Sequence, residues 1–385
     1  MDSSLGVIAV IIADDLTGAC DAGVHFAMRG LRAQVLIGPD VDATWQAQVI
    51  SWNTYTRCSE ASSLAARLEL AVKLARDSRP TLLMKKIDST LRGPIGLEIA
   101  WILEKLELPL AIVAPASPQA GRLVREGRVL LRGSNFAMDV AACLPRLKCA
   151  HVSRDEIGLL GDLIEEEMRR GTKALIVDAE DDVDLSRLAC LRRQVPKVLW
   201  TGSGGLARAL AMELAGDLRR VTPRAAGGPV LICVGSDHSV TAAQLRHLEQ
   251  QVEVARVFAD QNGYATAKAA LARGVDVVLE FPRATIEAVP DGELADKVGV
   301  LHCGSLVATG GDTALFVLRS MQAHSITLGA EIEPGIPWGR IKGGAADGKL
   351  LVTKSGGFGG SGALVACVDF LDPFAARGKK ANHGE

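Results

Sequence analysis

Two aspartates, Asp14 and Asp15, stand side by side directly after an apolar run that ends at Ala13. Adjacent carboxylates repel each other at a strand end and cost stability unless something uses them. A substrate hydroxyl, a metal or a nearby cation would each do so. One aspartate of a pair can cap the helix that follows, but capping does not require two. A second cluster reads Lys85-Lys86-Ile87-Asp88-Ser89-Thr90-Leu91-Arg92-Gly93. An arginine fork or a lysine point charge suits a carboxylate or a phosphate; the plainer reading is a Lys/Asp network that neutralises itself. Gly93, Pro94 and Gly96 then open a helix whose N-terminus can help hold an anion.

The second half of the chain carries a different chemistry. Val234-Gly235-Ser236-Asp237-His238-Ser239 follows an apolar run and precedes a helical pattern. Small residues there let a phosphate approach backbone N–H groups, and Ser236 adds a hydroxyl. Thr309-Gly310-Gly311-Asp312-Thr313 repeats this logic, and Lys354-Ser355-Gly356-Gly357-Phe358-Gly359-Gly360 repeats it again with a lysine. One glycine-rich loop is explained as readily by a tight turn; three in one half amount to a nucleotide cradle. No Walker P-loop, protein-kinase glycine loop or dinucleotide G-x-G-x-x-G follows the appropriate strand. Asn53–Arg57, Ala114–Pro118 with Gly121-Arg122, and Gly202–Ala207 also follow apolar runs, and each alone is only a turn.

These clusters need strand ends to position them. Apolar runs at Gly6–Ile12, Gln34–Ile37, Val49–Trp52, Thr81–Met84, Leu110–Ala114, Ala174–Val177 and Lys197–Trp200 read as strands. They alternate with helical patterns over Glu60–Arg76, Ile95–Lys105 and Arg154–Arg170. Continuous apolar strands separated by helices predict a mostly parallel sheet covered on both faces, whose ligands lie beyond the carboxyl ends of the strands. The pattern breaks at Arg219–Pro229, a linker by composition. A new series follows, with apolar runs at Val230–Val234, Asp276–Phe281, Ser305–Ala308, Lys349–Thr353 and Ala363–Cys367 and a helix over Thr241–Gln251. The reading is two α/β domains, 1–220 and 229–378, with a frayed tail over Arg377–Glu385.

Composition limits the partners. The 385 residues are 48% hydrophobic and 23% charged, so a packed core is within reach. A net charge of −2, from 43 basic and 45 acidic residues, argues against a nucleic-acid surface. Eight cysteines without a C-x-x-C pair and seven histidines without ligand spacing argue against disulfides, a redox pair or a transition-metal site. Met1–Ile12 has no basic leader, and no apolar run approaches the ~20 residues of a membrane helix, so a soluble cytoplasmic protein with no membrane partner is expected. The oligomeric state is open, a homodimer among the options.

The motifs resemble those of the four-carbon acid sugar kinases, formerly a domain of unknown function. The matching segments are ADDLTGACDAG from Ala13, KKIDSTLRGPIG from Lys85, APASPQAGR from Ala114 and GSGGLA from Gly202. VGSDHSVTAAQ from Val234, TGGDTA from Thr309, EIEPGIPWGR from Glu331 and VTKSGGFG from Val352 continue them in family order. The resemblance implies two domains, the first for the sugar acid and the second for ATP, with the active site in the cleft between them. It also implies transfer of a phosphoryl group to the terminal hydroxyl of threonate, erythronate or 3-oxo-tetronate. Carried over by motif, the nucleotide positions are Ser236, Gly310, Gly311, Asp312, Thr313 and Gly356. The tetronate carboxylate would then pair with Arg92, Lys85 or Lys86, with Arg57 secondary, while Asp14, Asp15 or Asp88 orients or deprotonates the hydroxyl. Mg²⁺ would bridge phosphate oxygens with few protein ligands, Asp312 being the nearest carboxylate. Cys20, Asp237 and Ser239 depart from the residues common in the family, which bears on substrate identity. The rival readings are an NAD(P)-dependent sugar-acid oxidoreductase and a non-catalytic sugar-acid or nucleotide sensor.

Overall fold

The apolar runs become strands because nearly every side chain in them is buried on both faces, as parallel pairing under helices demands. A computed structural model describes residues 6–38, 46–59, 61–195, 197–218, 227–282, 298–299 and 301–373. The expected linker, apart from 227–229, and the expected frayed tail lie outside the described residues. The chain divides into two compact units, Met1–Arg220 and Val221–Glu385.

In the first unit the strands lie in the order Ala33–Leu36, Val49–Asn53, Ala9–Ala13, Leu82–Lys86, Leu199–Gly202, Ala111–Ala114, Ala174–Val177 and Cys149–Val152. Every neighbouring pair is parallel. The chain starts at Ala9–Ala13, runs out to Ala33–Leu36, returns through Val49–Asn53 beside its first strand, then crosses to Leu82–Lys86 on the other side of that first strand. That reversal is the place where open α/β sheets leave a crevice for ligands. The register sets the strand ends level there: Ala13 lies opposite both Asn53 and Lys86, and Gly202 opposite both Lys86 and Ala114. A small antiparallel sheet of Arg122–Arg125, Arg128–Leu131 and Ala137–Asp139 was not legible, because its strands are short and rich in arginine.

In the second unit Val254–Phe258, Asp276–Glu280, Val230–Val234, Ser305–Thr309 and Leu350–Lys354 form a parallel series. The strands Ile336–Lys342 and Ser325–Glu333 continue it in antiparallel sense. Val234, Thr309, Lys354 and Glu280 share one level in the register.

Two segments differ from the sequence expectation. The apolar pattern places Ala363–Cys367 in the strand series, but it opens the helix Ala363–Leu371. The buried residues Ala363, Leu364, Cys367, Val368 and Leu371 follow a helical face packed into the core with Val230 and Ile232, a period hidden in a five-residue window. Arg154–Arg170 is a 3₁₀ turn over Arg154–Leu159 and then the helix Leu160–Arg169. Ser153 and Glu156 close a capping box at its start, and glycines at 158 and 161 weaken a continuous helix. The eight cysteines are unbridged. Among the described residues no helix is long and apolar enough to cross a membrane.

Candidate functional site

The level strand ends of the first unit gather its charged residues. Asp15 caps the helix Leu16–Ala27, accepting the Gly18 N–H at 2.8 Å and the Thr17 hydroxyl at 2.7 Å. The Arg57 guanidinium donates to both oxygens of Asp14, at 2.8 and 2.9 Å, and to both oxygens of Asp15, at 2.8 and 2.9 Å. It lies 3.8 Å from Asp88. Asp88 in turn accepts two bonds from the Arg92 side chain, at 2.9 and 2.7 Å, and bonds from the Thr90 and Arg92 N–H groups. Asp14, Asp15, Arg57, Asp88 and Arg92 therefore form one chain of ion pairs. Both loops that supply the arginines hold a non-glycine residue in the left-handed region, Tyr55 at φ 53° and Leu91 at φ 64°, a strain common where a loop serves a site.

Two lysines go elsewhere. Lys85 is fully buried and pairs with the equally buried Glu98 at 2.8 Å, while Thr56 donates to the same Glu98 oxygen. Lys86 donates to the Ile87 carbonyl at 3.0 Å and stands 3.8 Å from Asp21. An ammonium has three donors; Lys85 spends its charge on a carboxylate at contact distance and Arg57 has used four of its five donors, whereas Lys86 has its nearest carboxylate at 3.8 Å and keeps donor capacity among the described residues. Arg92 keeps capacity too, since its side chain is 67% exposed and only one edge of its fork faces Asp88.

Burial would raise the Asp14 carboxyl, but Arg57, Lys85 and Lys86 outweigh it and hold it below the usual range. Asp88 is treated likewise: burial opposes, and Arg92 and Arg57 drive it well below that range. Asp21 moves the other way, raised by burial that Lys86 only partly offsets.

Three residues escaped sequence reasoning. Asp21 was visible only as part of a motif. Arg122 reads in the sequence as part of a turn, yet burial and the nearby Arg92 lower its pKa while Asp88 raises it, which places it within electrostatic reach of both. Asn53 ends its strand with a buried side-chain nitrogen that has no acceptor among the described residues. Only the placement of Asn53 at the end of an apolar run could have flagged it.

In the second unit the three glycine-bearing loops meet. Gly310 precedes the helix Gly311–Ser320 at φ 94°, a conformation that suits glycine, and donates to the Lys354 carbonyl at 2.8 Å. A Cβ added at Gly356 would stand 2.1 Å from the Ser236 hydroxyl, so only glycine lets these two loops approach. The Thr313 hydroxyl lies beside Gly310. Asp312 is exposed in the first turn of its helix. Ser236, Gly310, Gly311, Thr313 and Gly356 thus lie around the N-termini of the helices Gly311–Ser320 and Ser239–Gln251, where backbone N–H groups suit phosphate oxygens.

Residues 9–143 match a family described as a sugar-binding N-terminal domain, and residues 231–364 match a nucleotide-binding C-terminal domain. A D-threonate kinase of Bordetella bronchiseptica is 35% identical over 407 residues, covering 94% of this chain and 96% of that protein. A 3-oxo-tetronate kinase of Pseudomonas fluorescens is 29% identical, covering 91% and 94%. The crystal structure of a Haemophilus influenzae protein superposes with a TM-score of 0.70 at 19% identity, covering 94% of this chain and all of that one, and shows the shared fold. Charged strand ends in one unit, glycine loops in the other and these relatives agree: the chain belongs to the four-carbon acid sugar kinase family and is a phosphotransferase acting on a sugar-acid hydroxyl.

Proposed function

We propose that the protein transfers the γ-phosphoryl group of ATP to the terminal hydroxyl of D-threonate or D-erythronate, with 3-oxo-tetronate a poorer substrate. The observation that carries this reading is the division of labour among the cations at the first unit's strand ends. Arg57 and Lys85 neutralise buried carboxylates, whereas Lys86 and Arg92 retain donors for an anion. A tetronate brings one carboxylate and several hydroxyls. Arg92, supported by Arg122, suits the carboxylate as a planar fork, and Lys86 suits oxygens nearer the reacting end. The Asn53 side-chain nitrogen supplies a buried donor that a substrate oxygen would satisfy.

For the hydroxyl we assign Asp14 ahead of Asp15. A carboxylate accepts about four bonds. Asp15 takes them from Thr17, Gly18 and two nitrogens of Arg57, whereas among the described residues the Asp14 carboxylate takes bonds from Arg57 alone. Asp14 held charged orients a hydroxyl more than it removes a proton, which suits phosphoryl transfer, where positioning and charge stabilisation dominate. Asp312, exposed beside the glycine loops, fits Mg²⁺, an ion that keeps waters and takes one or two carboxylates with phosphate oxygens. When bound, the ion would neutralise phosphate charge.

A panel of D-threonate, D-erythronate and 3-oxo-tetronate, each supplied with ATP and Mg²⁺ or with NAD(P), tests the reading. ADP release that depends on a tetronate supports it. Reduction of NAD(P), or tetronate binding with no ADP formed, contradicts it.

A further inference from the structure

Lys354 closes its strand fully buried, and among the described residues it has no carboxylate partner. Its ammonium is surrounded by the carbonyls of Ser355 at 3.1 Å, Gly356 at 3.2 Å and Phe358 at 3.4 Å, with the Thr241 hydroxyl at 3.4 Å. Thr241 itself donates to the Gly356 carbonyl at 2.9 Å. Gln244, also fully buried on the helix Ser239–Gln251, donates through its side-chain amide to the carbonyls of Phe358, Gly359 and Gly360 at 3.0, 3.2 and 2.8 Å. A glycine-rich loop is thus wrapped around two buried donors.

In a trans peptide the C=O and N–H point in opposite directions, and the described residues have no cis peptide bond. Carbonyls of 355, 356, 358, 359 and 360 turned toward Lys354 and Gln244 therefore turn the N–H groups of Gly356, Gly357, Gly359, Gly360 and Ser361 away from them. Among the described residues none of those N–H groups has a backbone acceptor, whereas the Phe358 N–H closes a turn onto Ser355. A row of outward N–H groups backed by a buried cation is an anion cradle.

We propose that Lys354 and Gln244 are positioning residues for the nucleotide: they fix the loop Ser355–Gly360 with its N–H groups facing the phosphates, without touching the nucleotide themselves. The proposal rests on the reading of the second unit as the nucleotide site. Burial pushes the Lys354 ammonium down to about 8, and among the described residues its charge is compensated by the loop carbonyls and the Thr241 hydroxyl. A buried charge spent on the carbonyls of one loop fits a role in loop geometry and local potential.

Calorimetry of wild type, Lys354→Met and Gln244→Leu with a non-hydrolysable ATP analogue and with adenosine tests this, alongside thermal melts and the KM for the sugar acid. The expected result is an ATP-analogue Kd raised roughly 10–100-fold in each variant, as for loss of one or two charge-assisted phosphate contacts. Adenosine affinity and the sugar-acid KM should stay within about twofold, and both variants should melt cooperatively as folded proteins. Gln244→Leu keeps the test open if Lys354→Met does not fold. Unchanged ATP-analogue affinity in a folded variant overturns the positioning role, as does an equal loss for adenosine and the analogue. A wild type that binds no ATP analogue overturns the nucleotide reading itself, which is a separate failure.

Discussion

Replacing Arg57 with methionine isolates the ion-pair chain from the substrate. Methionine keeps much of the packing volume and removes every donor. Asp14 and Asp15, 1% and 6% exposed, are then left adjacent and uncompensated; Lys85 remains tied to Glu98 and replaces Arg57 only in part. Breaking a buried pair by removing one partner costs ~3–5 kcal/mol, and Arg57 serves two carboxylates at 2.8–2.9 Å. For a domain of about this size 1 kcal/mol moves Tm by ~2–4 °C, so the first unit should melt roughly 6–20 °C lower at pH 7. In wild type Asp14 is held below its usual range, so its stabilisation is present at neutral pH and is lost as pH falls through that lowered value. Without Arg57, burial raises it instead, so the mutant is penalised at neutral pH and relieved as its carboxyls protonate. The gap between the two melting curves should therefore be widest near pH 7 and narrow as pH falls through about 4. Asp14→Asn added to Arg57→Met should restore part of the loss, which a double-mutant cycle reads. A normal melt at pH 7 with only a raised KM for the sugar acid would refute the reasoning and make Arg57 a substrate ligand.

Asp14→Asn should lower kcat by ~10²–10⁴, the upper part of that range applying if Asp14 also takes the proton, with KM nearly unchanged; equal losses in Asp15→Asn would remove the preference for Asp14. Arg92→Ala should chiefly raise the KM for the sugar acid by ~10–100-fold, as for lost uniform binding, with a smaller loss of stability than Arg57→Met because Asp88 keeps Arg57 at 3.8 Å and its Thr90 bond; a large stability loss with normal kinetics would make it structural. Gly356→Val should abolish binding of an ATP analogue in calorimetry while sugar-acid binding persists, because a Cβ there collides with Ser236; retained nucleotide affinity would detach this loop from the site.

Most of what positions the site was legible in the sequence. Continuous apolar runs such as Ala174–Val177 and Val230–Val234 became strands at the stated residues, because burial on both faces leaves few other uses for them. The charged clusters stood at the expected strand ends for the same reason. The pairing within the clusters was not legible. A run of cations reads alike whether it faces ligand or carboxylate, and Glu98, which occupies Lys85, lies thirteen residues away on a helix. Arg57 is separated from Asp14 and Asp15 by over forty residues, so only the parallel register of Val49–Asn53 with Ala9–Ala13 brings them together. Lys354 shows the same limit: its partners are backbone carbonyls, which leave no trace in residue types. The Ala363–Leu371 helix was missed because its period exceeds the apolar run first seen.

The most direct test of the central account is ³¹P NMR of the product after wild-type protein is incubated with ATP, Mg²⁺ and D-threonate, then with D-erythronate. The account predicts a new phosphomonoester signal that couples to the two protons of the terminal methylene, appearing as ADP accumulates. A signal coupled to a single methine proton would place the phosphate on an internal hydroxyl and contradict the account, and so would ADP and inorganic phosphate with no phosphomonoester.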